Sequence, residues 1–128
     1  MKKVYLTLCL LVTLVLSVGY TTAFAADWYY VGTSDDGTVS AYIDNSSVEK
    51  NNRDAIIWER WMISDGTELL QRVYYTRRPK TCTTLSFTDY DAQGNIIDSE
   101  DIPSYEQDSD AIRPDTMAEA IWYCIWPY

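Results

Sequence analysis

Two cysteines, Cys82 and Cys124, are the residues of this chain whose type and placement predict a specific covalent bond. Cys82 lies in a strand-like run, and Cys124 lies in a helix-like run near the C-terminus. The third cysteine, Cys9, lies in an N-terminal segment that we expect to be removed. An even pair of cysteines in an oxidising compartment usually forms one disulfide. The sequence therefore predicts a Cys82–Cys124 disulfide, which would stabilise a small domain by roughly 4 kcal/mol in the chain-entropy model.

The sequence contains few residues that could support other covalent or catalytic chemistry. The chain has no histidine, so it cannot form a Ser-His-Asp or Cys-His arrangement. Its cysteines lack the CxxC spacing that is typical of redox-active pairs. Paired carboxylates remain as candidates for glycoside chemistry, but about 100 residues leave little room for a substrate cleft. We therefore predict that the protein is not an enzyme, and that it has no catalytic residue and no cofactor.

Two charged clusters are candidate binding sites. Residues 98–110 contain six carboxylates, but their spacing does not match an EF-hand loop, so we predict a surface loop without a metal site. The only basic cluster is residues 77–80, where Pro79 predicts a loop. An anion or glycosaminoglycan contact is the functional interpretation of this cluster, and a solvated loop is the interpretation that we favour.

The N-terminus has the pattern of an export signal. Lys2 and Lys3 precede an apolar run at residues 4–18, and a small-x-small motif ends at Ala25. We predict a signal peptide over residues 1–25, with cleavage after Ala26 as the alternative. A retained transmembrane anchor is less favoured because a span needs about 20 apolar residues. Cys9 lies near the start of the apolar run, which does not fit a lipobox.

These features predict an exported, extracytoplasmic protein with one domain over residues 26–128. Cleavage would remove Lys2 and Lys3 but none of the 19 acidic residues, so the formal net charge would change from −9 to −11. Such a charge excludes nucleic acid and anionic membrane surfaces as favoured partners. Solubility is its ordinary consequence, and cationic partners are electrostatically permitted.

The body of the chain predicts an α+β fold with roughly six antiparallel strands in a meander and a C-terminal helix packed on the sheet. Tyr, Trp, Thr, Ile and Val are frequent in it, and the strand-like runs are joined by short turns such as Asp36-Gly37. The polar segment 48–54 is predicted to be a loop. The predicted strands are residues 28–33, 38–44, 55–63, 68–76, 81–91 and 95–99.

The run at residues 55–63 predicts a central strand because both of its faces are bulky. Trp58 is on one face and Trp61 is on the other. A helix is the competing interpretation, but the aromatic and β-branched composition disfavours it. Bulk on the second face predicts contact with a partner protein or with a second copy of the chain.

The C-terminal helix is predicted from its ends and its periodicity. Thr116 and Glu119 have the spacing of a capping box, and Pro127 ends the helix. One face, spaced i, i+3, i+4 and i+7, is expected to meet the sheet and to bring Cys124 toward Cys82. That face consists of Met117, Ala120, Ile121 and Cys124.

Several short motifs in a fixed order resemble the surface-adhesin protein E family of small exported bacterial proteins. The motifs are Trp28-Tyr-Tyr-Val-Gly32, Tyr42-Ile-Asp44, Ile57-Trp58, Cys82, Tyr90-Asp91 with Gly94-Asn95, and Ile112-Arg-Pro-Asp-Thr-Met-Ala-Glu119 with Cys124. The resemblance covers nearly all of residues 26–128. Asp115 stands where the family commonly has glycine, and the lipoprotein signal of its founding member is missing.

The resemblance implies a six-stranded antiparallel sheet with a helix tied to it by a disulfide, a surface or periplasmic location, and homodimers. It also implies adhesin-like contact with host matrix or serum proteins. The function predicted from the sequence is therefore a non-enzymatic exported binding module. The alternative is a structural or envelope-stress protein with no diffusible ligand.

Overall fold

The structure is a computed structural model, and it describes residues 25–127. The predicted signal peptide lies outside the described residues, except for Ala25.

One antiparallel sheet forms the body of the protein. Its main path runs β1-β2-β4-β5-β6-β7, while β3 pairs with β4 and β8 pairs with β6. Neighbours along this path follow one another along the chain except that β3 intervenes between β2 and β4, which makes the sheet a meander. The strands are β1 (Trp28–Thr33), β2 (Val39–Asp44), β3 (Glu49–Lys50), β4 (Asp54–Ile63), β5 (Glu68–Thr76), β6 (Thr81–Tyr90), β7 (Ile96–Asp101) and β8 (Asp110–Ala111).

The predicted α+β class is confirmed, and each of the six predicted strands is present. The number of strands needs correction, because the described residues form eight strands rather than six. The predicted loop 48–54 contains β3, and the predicted acidic loop 98–110 contains the end of β7 and the start of β8. All six side chains of β7 are exposed. Its polar residues are therefore compatible with a strand, because strand pairing uses backbone groups and leaves these side chains in solvent.

β4 is the central strand, as its composition predicts, because it pairs with β2, β3 and β5. Alternate side chains of β4 are buried, beginning with Ala55 and Ile57. We call the face that contains them the core face, and we call the opposite face, which contains Trp58, the open face. The core also takes residues from β2, β5 and the C-terminal helix, and its other members are Ile43, Val73, Tyr75, Ile112, Ile121, Ile125 and Trp126.

The C-terminal helix α1 (Met117–Ile125) lies on the core face. The first half of the predicted capping box is confirmed, because the Thr116 hydroxyl accepts a hydrogen bond from the backbone N–H of Glu119 at 3.3 Å. The Glu119 carboxylate accepts from the N–H of Asp115 at 3.3 Å, one residue before the N-cap. Ile121 and Ile125 are the buried residues of α1. The buried face of α1 therefore includes Ile125 and is rotated relative to the face that the periodicity predicts.

The residue before the helix cap has an unusual backbone conformation. Asp115 has a φ of 61°, in the left-handed region that glycine adopts without steric cost. The turn before α1 therefore has an aspartate at a position where glycine would avoid the steric cost of a positive φ.

Candidate binding surface

The two predicted site residues, Cys82 and Cys124, are both free thiols in the structure. The structure thus lacks the disulfide that the sequence predicts. Both cysteines pack against the same hydrophobic core, so the helix does lie on the face that contains Cys82. Burial raises the pKa of both thiols, which disfavours the reactive thiolate.

The position of α1 explains why the two thiols are not joined. Cys124 lines a groove with Ile43 of β2 and Ile57 of β4. Cys82 belongs to β6 and is paired with Tyr75 of β5. Because β5 lies between β4 and β6, the groove that Cys124 lines and the strand that contains Cys82 are different parts of the core face. Neighbouring strands are about 4.8 Å apart, and a disulfide usually needs Cα atoms within about 7 Å of each other.

Polar contacts hold the C-terminal half of α1 in place of that bond. The Trp122 indole N–H donates to the carbonyl of Thr76 at 3.1 Å, and the Trp126 indole N–H donates to the carbonyl of Asn51 at 2.9 Å. Lys50 donates to the carbonyl of Ile125, the last residue of the helix, at 2.8 Å. A cation near the last carbonyls is also favoured by the helix dipole.

Lys80 makes a second connection between the helix and the sheet. Its ammonium lies 4.2 Å from the centre of the Trp122 ring and 4.6 Å from the centre of the Tyr123 ring. It also forms a 3.3 Å salt bridge with Glu119. One member of the predicted basic loop 77–80 therefore contacts the helix and is not simply solvated.

The open face of the sheet is rich in aromatic and arginine side chains. Residues directly opposite each other in paired strands share a face, so the register assigns its members. Tyr30 is 51% exposed and Met62 is 40% exposed, while most of the others are half-buried. The large side chains assigned to this face are Trp28, Tyr30, Tyr42, Ile56, Trp58, Arg60, Met62, Leu70, Arg72, Tyr74 and Tyr90.

Arg60 organises one side of the open face. Its guanidinium forms a two-point contact with the Glu68 carboxylate, with a 3.1 Å hydrogen bond from Nη2 to Oε2. This hydrogen bonding raises the pKa of Arg60. The same guanidinium lies 5.7 Å from the centre of the Trp28 ring, and the rings of Tyr30 and Tyr42 are 5.4 Å apart. These contacts hold the aromatic side chains in fixed positions.

Arg72 is at the middle of the face and is not neutralised. It lies directly opposite Trp58 on one side and Ser86 on the other. Within the part of the chain that the structure describes, it forms no salt bridge. The face therefore presents a half-buried cation between an indole ring and a hydroxyl group.

The core face contains one buried carboxyl that sequence reasoning did not single out. Glu59 is 1% exposed. One carboxyl oxygen accepts from the Trp61 indole at 2.9 Å and the Gln71 amide at 2.7 Å, and the other accepts from the Tyr75 hydroxyl. Burial raises the pKa of Glu59. Its position on the same face of β4 as Ile57 and Trp61 is the sequence signal that could have revealed it.

Glu59 does not make a catalytic centre. Both of its oxygens accept hydrogen bonds from side chains of the protein, so neither is free to contact a substrate. Hydrogen bonds lower the pKa of several aspartates, among them Asp65 and Asp91. For example, hydrogen bonds from Ser34 and Thr38 lower the pKa of Asp36 to about 2.

Two further properties of residues 25–127 bear on ligands. No group of three potential metal ligands lies close together there. None of the helices within this range has the length and apolar character that a membrane span needs.

Comparison of the chain with protein-family models, with curated proteins and with solved structures finds no match. The resemblance to the surface-adhesin protein E family therefore remains a prediction from the motifs.

Proposed function

We propose that this protein is an exported, non-enzymatic binding module, and that the open face of its sheet contacts a partner protein. The observation that supports this most directly is the chemistry of the face. Trp, Tyr and Arg are the residues that most often dominate protein–protein binding energy, and here they lie together on a face that the helix does not cover. The adhesin-like role implied by the motif resemblance is one form of this function.

The charge on the open face favours a particular kind of partner. Arg72 has no carboxylate partner within residues 25–127, and Trp58 and Leu70 provide apolar area close to it. A partner that brings a carboxylate to Arg72 and apolar side chains to its neighbours would complement both properties. The open face of a second copy would bring carboxylates such as Asp101, which lies opposite Ser86, but it would also bring a second Arg72. The like charges of two Arg72 side chains disfavour this pairing, so we favour a different protein.

Binding to a panel of purified matrix proteins tests the proposal. In surface plasmon resonance we expect at least one panel member to bind, and we expect Trp58→Ser to weaken binding by about thirtyfold, as loss of a hot-spot residue does. Arg72→Ser should also weaken it. Tyr105→Ser is a matched control, because Tyr105 is 84% exposed and lies in the 3-10 segment Ser104–Glu106 rather than on the sheet.

Three results would contradict the proposal. The first is failure of every panel protein to bind, which would favour the alternative of a structural or envelope-stress protein. The second is equal binding by Trp58→Ser and the unchanged protein. The third is a dimer in light scattering that Trp58→Ser dissociates, which would assign the face to a homodimer.

The disulfide belongs to the same proposal, since it is a prediction about the exported, oxidised protein. Its formation would require α1 to turn so that Cys124 faces β6. Thiol titration of purified protein that begins at residue 26, and so lacks Cys9, distinguishes the two states when the protein is unfolded without reductant. Zero thiols per chain would establish the bond, and two thiols would establish the arrangement in the structure.

A further inference from the structure

We propose that a pocket at one end of the sheet binds a small oxyanion, namely a phosphate or sulfate group. The pocket lies between the β3–β4 turn and the β5–β6 turn, and its volume is about 290 Å³. We call it the arginine pocket, and its lining residues are Asn52, Arg53, Arg77 and Arg78. It is separate from the open face, so the proposal does not depend on the proposed function.

The fold brings together basic residues that are far apart in sequence. Arg53 belongs to one turn, and Arg77 and Arg78 belong to the other. The backbone N–H of Arg77 donates to the carbonyl of Arg53 at 2.8 Å, and the Arg77 guanidinium donates to the side-chain oxygen of Asn52. Two direct contacts therefore fix the turns relative to each other.

Each turn is also held internally. The Asn51 side-chain oxygen accepts from the backbone N–H groups of Arg53 at 2.7 Å and Asp54 at 3.0 Å. In the other turn, the Thr76 hydroxyl donates to the carbonyl of Pro79 at 2.5 Å. A site whose backbone is already ordered loses less conformational entropy when a ligand binds.

The positive charge of the pocket is not cancelled locally. Three of the ten basic residues of a chain with net charge −9 line this one concavity. Within residues 25–127 none of the three arginines forms a salt bridge. The adjacent carboxylate, Asp54, accepts hydrogen bonds from Asn51 at 2.6 Å and Tyr74 at 3.2 Å.

The side chains and the net charge together indicate the class of ligand. Guanidinium groups bind the oxygens of phosphate and other oxyanions through paired hydrogen bonds. The volume is at the lower end of the range for small-molecule sites, which suits a single anionic group. A long polyanion would also meet the acidic remainder of the surface, which repels it.

Titration of the purified, isotope-labelled protein with inorganic phosphate or sulfate tests the proposal. Sodium chloride at the same ionic strength is the reference. We expect saturable shifts of the backbone amide signals of Asn52 and Arg77, and we expect Arg53→Gln and Arg78→Gln each to weaken binding by about tenfold or more. Both side chains are exposed, so these changes should leave the fold intact. Arg113→Gln removes the same charge from another exposed position and should change the affinity less than about twofold.

Each outcome decides the proposal. Saturable binding of either ion that is lost in both pocket variants but kept in Arg113→Gln supports it, and the tighter ion identifies the ligand group. Shifts no larger than those in sodium chloride, or equal loss in Arg113→Gln, would overturn it. A heparin hexasaccharide that binds when neither ion does would also overturn it, in favour of a chain-length-dependent contact.

Discussion

Replacement of Glu59 by glutamine is expected to remove a specific part of the pH dependence of stability. Burial raises the pKa of Glu59 in the folded protein, whereas the unfolded chain has the ordinary value of about 4.3. The folded state therefore holds a proton that the unfolded state releases between these two values. The contribution to stability is fully present below about pH 4.3 and is lost as the pH rises through the folded pKa.

The size of the effect follows from one proton. The free energy of unfolding should decrease by at most about 1.4 kcal/mol for each pH unit within this window. Glutamine resembles the protonated carboxyl. Its oxygen can accept from Trp61 and Gln71, as one carboxyl oxygen does now, and its amide can donate to the Tyr75 hydroxyl. Glu59→Gln should thus be close to the unchanged protein at pH 4 and more stable than it at pH 7.

Urea unfolding at a series of pH values from 4 to 7.5 measures both curves. Glu59→Ala is the informative contrast, because it leaves several buried donors without an acceptor and should cost about 3 kcal/mol or more at every pH. The carboxylates with lowered pKa, such as Asp36 and Asp91, act in the opposite direction. Their contribution to stability is lost as the pH falls below the pKa of an unfolded aspartate. The two effects therefore occur in separate pH ranges. Parallel curves for Glu59→Gln and the unchanged protein between pH 4.3 and 7.5 would refute the argument.

Three further changes test the attachment and the cap of α1, each by urea unfolding. Trp126→Phe should cost about 1 kcal/mol, because it removes the hydrogen bond to Asn51, and an unchanged midpoint would contradict that bond. Lys80→Met should lower the urea midpoint slightly through the lost ring and Glu119 contacts, and a loss that persists undiminished in 1 M salt would show that charge is not the cause. Asp115→Gly should stabilise the protein by up to about 1 kcal/mol, because glycine adopts positive φ freely, whereas destabilisation would indicate that the Asp115 side chain has a structural role.

The strands were predictable because their signals are local. The fifth strand, Glu68–Thr76, has the predicted bounds, and the alternation of large side chains in β4 revealed a central strand with two occupied faces. β3 was missed because it has only two residues, both of them charged. The end of β7 was missed because its acidic side chains are exposed, so hydrophobic pattern could not distinguish it from a loop.

The functional features depend on contacts between distant residues, which a single sequence does not specify. The environment of Glu59 needs donors from residues 71 and 75, and the arginine pocket needs Arg53 beside Arg77. The periodicity of α1 placed Cys124 on an apolar face but could not fix the rotation of the helix. Apolar side chains span a wide arc of α1 from Met117 through Ala118 and Trp122, so several rotations bury similar area.

The two lateral edges of the sheet differ in charge, and this difference limits how molecules could join through their strands. β7 exposes the carboxylates of Asp98, Glu100 and Asp101, and negative charge on an edge strand discourages pairing with another chain. β1 has no charged residue, and Tyr29 and Tyr30 are about half exposed. A continuous sheet built across molecules through these edges is thus favoured at β1 over the acidic end of β7. Pairing of two β1 strands would leave a β7 strand at each end of the joined sheet. There the exposed Ile96 and Ile97 lie beside three carboxylates, and repulsion between these carboxylates opposes further growth.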